Sequence, residues 1–111
     1  MSARVVPLTR TDDLDAVFAE PRVLIYKHSA RCWMCTKALK DVTDLARSQP
    51  DLAFYMVDVI GNRDVSNEIA ARLDLTHESP QAILVEEGAA VWHANHLKIT
   101  AAALKQAVEG G

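Results

Sequence analysis

Val23-Leu24-Ile25-Tyr26-Lys27-His28-Ser29-Ala30-Arg31-Cys32-Trp33-Met34-Cys35 is the stretch on which the fold of this chain turns. The apolar run within Arg22 to Lys27 lacks polar alternation, as expected of a strand buried on both faces. Leu39, Val42, Leu45 and Ala46 then recur at helical spacing, so the chain's two cysteines open a helix that follows a buried strand. A thiol in a first helical turn meets unpaired backbone N–H groups and the positive end of the helix dipole, and both favour thiolate. Cys35 lies one turn along the same face, about 5–6 Å away between Cβ atoms in a regular helix. A disulfide needs roughly 3.5–4.5 Å, which a loosely held first turn can supply. The spacing suits a disulfide that opens and closes, and Cys32 and Cys35 are read as a redox pair.

Composition agrees with that reading. The chain has 111 residues, half of them hydrophobic, which predicts a single domain over residues 1-109 with a frayed tail at 110-111. Such a core needs no structural disulfide or metal, which leaves both thiols free for chemistry. A formal net charge of -3 without a basic run argues against nucleic acid as a partner. Met1 to Pro7 holds no apolar core of signal-peptide length, and no later stretch is long enough to span a bilayer. The expectation is a cytoplasmic protein with no membrane association, in a compartment where a C-x-x-C pair is catalytic or metal-binding rather than structural.

Arg4 to Leu8 reads as a short strand that Pro7, having no N–H, places at a sheet edge. Thr9 or Thr11 is expected to cap a helix ending near Ala19, and Pro21 closes it. The cysteine helix runs to about Ser48, where Pro50-Asp51 breaks it. Leu52 to Val59 is a second central strand, and Asp64 is expected to cap a helix carrying Val65, Ile69 and Leu73. Ala82 to Glu86 and Ala89 to Ala94 flank Glu87-Gly88 as a hairpin. Thr100 caps a last helix, with Ile99 and Leu104 spaced for a hydrophobic staple. The order β-α-β-α-β-α-β-β-α predicts an α/β domain: a mixed sheet with parallel central strands, one antiparallel edge, and helices on both faces. A C-x-x-C following a strand within such units is the thioredoxin-like arrangement.

Three stretches together resemble one family on that fold. Lys27-His28-Ser29-Ala30-Arg31-Cys32, His77-Glu78-Ser79-Pro80-Gln81, and Val91-Trp92-His93-Ala94-Asn95-His96 with Ile99-Thr100 are similar to the cytosolic bacilliredoxins of the bacillithiol system (YtxJ-like). The resemblance implies removal of bacillithiol, as co-substrate and without a bound cofactor, from mixed disulfides on cytosolic proteins. It puts the nucleophile at Cys32 and a cis-proline at Pro80, with the backbone of Ser79 exposed to a substrate. In that family the nucleophile is typically followed by Pro, and the place of Cys35 holds no cysteine. Here Trp33 and Cys35 stand at those positions. Resolution of the mixed disulfide by Cys35 or by a second bacillithiol therefore stays open.

Cys32 is the expected nucleophile and Cys35 the candidate resolving thiol. If the Cys32 pKa falls about two units below roughly 8.5, its thiolate fraction near neutrality rises about tenfold while its intrinsic nucleophilicity falls by a similar factor. The gain is then a better leaving group and a more stable reduced state. Two units is about 2.7 kcal/mol, more than an exposed helix terminus gives, so Lys27, His28 or Arg31 is expected to help. Bacillithiol carries a malate carboxylate, so Lys27, Arg31, His96 and Lys98, with His28 and His93 nearby, form a suited rim. Trp33 is a candidate contact for the thiol ligand or for a partner protein. A flavin-dependent reductase is a candidate recycling partner, and a general thioredoxin-like protein-disulfide reductase is the alternative activity. A reading of another class pairs Cys32 and Cys35 with His93-x-x-His96 as zinc ligands in a non-catalytic or adaptor domain. The H-x-x-H spacing is short for that purpose, and no metal is expected.

Overall fold

The computed structural model describes residues 5–110. Five strands and four helices alternate in the expected order: β1 Val5–Pro7, α1 Leu14–Ala19, β2 Arg22–His28, α2 Trp33–Ser48, β3 Ala53–Asp58, α3 Arg63–Leu73, β4 Gln81–Glu86, β5 Ala89–Asn95 and α4 Ala101–Gly110. The sheet order is β1-β3-β2-β4-β5. β2 lies at its centre with Val23 to Lys27 all buried, which is why that run carries no polar alternation. Side chains of β2 alternate between two cores. Leu24 and Tyr26 pack with Ala38, Val42, Leu45 of α2 and Leu104, Val108 of α4. Val23 and Ile25 pack on the other side with Leu14 and Val17 of α1 and Val65 and Ile69 of α3.

The sheet is mixed, but its antiparallel strand is not where the sequence reading put it. β1, β3 and β2 run parallel, whereas β4 lies inside the sheet, antiparallel to β2. β5 forms the edge and pairs antiparallel with β4. The cause is the link between α3 and β4. Asp74, in the left-handed conformation, ends α3, with its N–H on the Ala71 carbonyl and the Leu75 N–H on the Ala70 carbonyl. The six residues 75 to 80 that follow can span at most about 20 Å, enough to travel the length of a six-residue strand. The chain thus returns to the end of the sheet where β2 finishes, and Gln81 pairs with Lys27 there.

Local signals fared unevenly. Glu87 and Gly88 have φ of 52° and 79°, the pair of positive values that a two-residue hairpin requires. A bulge at Val91 follows, since Leu84 pairs with Trp92 but Val85 with Ala90. Neither Thr9 nor Thr11 caps α1: extended Arg10 precedes a 3-10 turn of Thr11 to Asp13, which feeds straight into α1 with Asp13 already helical and no side-chain cap bond. Asp64 does not cap α3 either. Asn62 precedes the helix and its side chain donates to the Thr9 carbonyl, while Asp64 sits inside the first turn. Gly110 is the last residue of α4; Arg4 and Gly111, included in the expected first strand and tail, lie outside the described residues.

Thr100 does cap α4, its Oγ1 accepting the Ala103 N–H at 3.1 Å, with Ile99 and Leu104 buried in the same core. Thr100→Ala is expected to cost about 1 kcal/mol, read as a lower urea midpoint with an unchanged slope.

Candidate active site

β2 ends at His28, and Ser29-Ala30-Arg31 leads into α2. Cys32 is the residue immediately before the helix, with extended backbone (φ -121°, ψ 122°), so its sulfur stands where a capping oxygen ordinarily would. Its N–H donates to the Ser29 carbonyl at 3.3 Å and its own carbonyl accepts the Cys35 N–H at 3.1 Å, which fixes the entry to the helix. No acidic side chain occupies the first turn of α2. Partial desolvation raises the Cys32 thiol, but the Cys35 amide, the Cys35 thiol and the Met34 amide together outweigh it and hold Cys32 below the ordinary thiol range.

Cys35 is fully buried, unlike the partly exposed Cys32, and both are free thiols. Burial pushes the Cys35 thiol up. The Ser29 N–H donates to its Sγ at 3.4 Å and Ser79 Oγ lies 3.8 Å away, and both work against that rise. The pair therefore has opposite characters: an accessible thiol inclined to ionise and a buried one inclined to keep its proton.

The loop facing the thiols contains a cis Ser79-Pro80 bond, as the resemblance implied. It is tied down on the far side by the His96 N–H donating to the Pro80 carbonyl at 2.9 Å. Next to it, buried Gln81 donates through Nε2 to the Thr76 carbonyl and to Asn95 Oδ1. His96 Nε2 meets Glu78 Oε1 at 3.1 Å. A groove of about 720 Å³ is lined by Met34 of the first turn of α2 together with His93, Ala94, Asn95, His96, Leu97 and Lys98; neither cysteine lines it.

The remaining predicted residues separate. His93, His96 and Lys98 line the groove, and Trp33 is 70% exposed beside Cys32. Arg31 is exposed in the loop before Cys32. Neither it nor Lys27 nor His28 is among the groups that lower Cys32; backbone amides and the neighbouring thiol do that work. Lys27 is not part of the rim. It is fully buried on the α3 side of the sheet, where its Nζ donates to the Ser66 carbonyl and to His77 Nδ1, each at 3.1 Å. Strand alternation is the reason, since Lys27 must point opposite to Tyr26 and His28. Among the described residues no three Cys, His, Asp or Glu side chains converge as a metal site, so Cys32, Cys35, His93 and His96 are not assembled as one ligand set.

Sequence reasoning passed over Tyr26. Its hydroxyl donates to the Cys35 carbonyl at 2.9 Å and lies 3.0 Å from His28 Nδ1. A buried tyrosine must find a partner for its hydroxyl, and that requirement was the available signal. Met34, Asn95 and Leu97 of the groove were also missed, because their types carry no chemical signature.

Sulfur chemistry at a helix start on this sheet makes the chain a thiol–disulfide oxidoreductase of the thioredoxin fold. A solved structure described as an oxidoreductase with a thioredoxin fold is 30% identical, with a TM-score of 0.86 over 94% of this chain and 93% of the other. The thioredoxin of Trypanosoma brucei brucei, 15% identical, shares the architecture at a TM-score of 0.83 over 99% of this chain and 92% of its own. Mitochondrial thioredoxin 3 of Saccharomyces cerevisiae, 18% identical, does so at 0.79 over 96% and 95%. Residues 6–104 match the family described as monothiol bacilliredoxin BrxC, and the chain belongs to that family. Against the monothiol description, it carries the second cysteine, Cys35.

Iodoacetamide should modify Cys32 well before Cys35, with a pH midpoint below that of an ordinary thiol. Cys35→Ala should move that midpoint upward, because one of the groups favouring the thiolate is lost; an unmoved midpoint would contradict the assignment. Lys27 yields a separate expectation. Burial pushes its pKa down from 10.5 to about 8, so between those values the unfolded chain holds a proton that the folded chain has released. Stability therefore rises with pH across that interval, by up to roughly 3 kcal/mol. Urea denaturation of Lys27→Met between pH 8 and 10 should lack the rise.

Proposed function

We propose that this chain removes bacillithiol from mixed disulfides on cytoplasmic proteins, with Cys32 as nucleophile and Cys35 as resolving thiol. The opposite environments of the two sulfurs carry the reading. The Cys32 thiolate attacks the bacillithiol sulfur, the protein thiolate leaves, and Cys32 carries the bacillithiol. Cys35 then attacks Cys32, the bacillithiol thiolate leaves, and a Cys32–Cys35 disulfide remains. Two electrons must return to that disulfide, from further low-molecular-weight thiol or from a flavin-dependent reductase. Tethering makes the attack by Cys35 effectively unimolecular, which lets it compete with free thiols. The groove beside Met34 has the size of a small-molecule site. Its His96 and Lys98, with Arg31 at the loop, suit a malate carboxylate, while the backbone of half-buried Ser79, before the cis-proline, suits pairing with an extended protein segment. No helix among the described residues is long and apolar enough to cross a membrane, which is consistent with this location.

The buried Cys35 and the exposed Trp33 also favour a second reading, a general protein-disulfide reductase. Turnover of a bacillithiolated protein compared with an ordinary protein disulfide separates the two. For the first reading, mass spectrometry after adding bacillithiol disulfide should find an internal disulfide in wild type, a stable adduct in Cys35→Ser, and neither in Cys32→Ser. An unmodified wild type rejects it.

A further inference from the structure

Lys27 brings a positive charge to the α3 side of the sheet, and no acid answers it there. Its ammonium is fully buried and can only donate; its partners are the Ser66 carbonyl and His77 Nδ1, each at 3.1 Å. An imidazole nitrogen offers one lone pair, so this donation makes Nδ1 the acceptor and places the ring proton on Nε2. Ser66 Oγ lies 3.2 Å from the same Nδ1. With that lone pair taken by Lys27, the Ser66 hydroxyl proton is left without an acceptor among the described residues, although Ser66 is only 1% exposed.

Both spare donors line one cavity. It measures about 200 Å³ and is bounded by Val59, Ile60, Arg63, Ser66, Asn67 and His77, sharing no residue with the groove at Met34. Arg63 and Asn67, one turn apart on α3, add a guanidinium and an amide. None of the lining residues is acidic. Of the acids next to them in the chain, Asp58 accepts the Ile60 N–H, Glu68 pairs with Arg72, Glu78 meets His96, and Asp64 is exposed. The volume lies below that of sites for drug-sized molecules, which points to a small ion or a single group of a larger ligand.

We propose that this cavity binds one phosphate-type oxyanion, with Ser66 Oγ, His77 Nε2, the Arg63 guanidinium and the Asn67 amide donating to its oxygens. The Lys27 ammonium, bonded to Ser66 and His77 from beneath, supplies buried countercharge. A phosphate presents three or more oxygens to these donors, where a carboxylate presents two. Arg63, Asn67 and His77 are exposed, so the occupant is a free ion or the phosphate of a monoester. The site adjoins the end of β2 that leads to Cys32, since the Val59 N–H donates to the His28 carbonyl at 2.9 Å. It is independent of which thiol resolves a mixed disulfide.

Calorimetric titration of the reduced protein at pH 7, with chloride holding the ionic strength constant, tests the assignment. Inorganic phosphate should bind saturably at one ion per chain. Ser66→Ala and Arg63→Gln should each weaken it about tenfold or more, the scale of a hydrogen bond to a charged group. Lys98→Gln, which alters the groove, should leave it unchanged. Glycerol phosphate in place of phosphate separates the two sources: comparable binding assigns a monoester, and loss of binding a free ion. The assignment is overturned if phosphate does not saturate, if Lys98→Gln abolishes binding, or if either cavity variant binds within about twofold of wild type. Arg63→Gln changes an exposed side chain, so it decides the matter should Ser66→Ala fail to fold.

Discussion

A helix start ordinarily satisfies its first N–H groups with an oxygen, and here the atom offered is the sulfur of Cys32. The substitution links folding to chemistry. Cys32 holds the capping position without a side-chain cap bond, yet the nearby Met34 and Cys35 amides favour its thiolate, and α2 begins at Trp33 because Ser29, Cys32 and Cys35 are joined by backbone hydrogen bonds. The Tyr26 hydroxyl on the Cys35 carbonyl holds the same turn from below. Loosening that corner would expose the buried thiol and weaken the preference of the outer one for its anionic form.

The centre of the sheet meets two demands that pull apart. β2 must be apolar to be buried on both faces, yet three of its last residues are Tyr26, Lys27 and His28. Alternation solves this by sending them to opposite sides. Tyr26 meets His28 and the thiol helix, while Lys27 reaches His77 and the Ser66 carbonyl under α3. The Lys27 amine finds neutral acceptors, and burial is the cause of its lowered pKa. Burying a cation this way opposes folding.

What the sequence disclosed was chiefly local. The buried run of β2, the helical repeat of α2, the Glu87-Gly88 hairpin and the Thr100 cap each depend on residues close in the chain, and each stands in the structure. The direction of β4 depends on how far residues 74 to 80 travel, and no periodic signal encodes that distance. Lys27 was read as a rim cation because charge was weighed before strand parity. Parity alone would have placed it away from the groove. Both cysteines were evident, and so was the pull of backbone N–H groups on Cys32; the misjudgement was to expect help from Lys27, His28 or Arg31, where the neighbouring Cys35 thiol supplies it instead. Tyr26 was hidden by its own context, an aromatic ring counted as one more apolar residue in a central strand.

The two margins of the sheet differ from its middle in a way that bears on solubility. β1 ends in Pro7, which offers no N–H outward, and β5 carries the bulge at Val91, which breaks the even spacing of its outer hydrogen-bonding groups. Val91 is also among the more exposed apolar side chains, at 53%. A strand from another molecule laid against either margin would find a missing donor or a register that slips. Edge-to-edge stacking of copies is thereby discouraged at both sides, and the chain can tolerate crowding without growing its sheet into its neighbours.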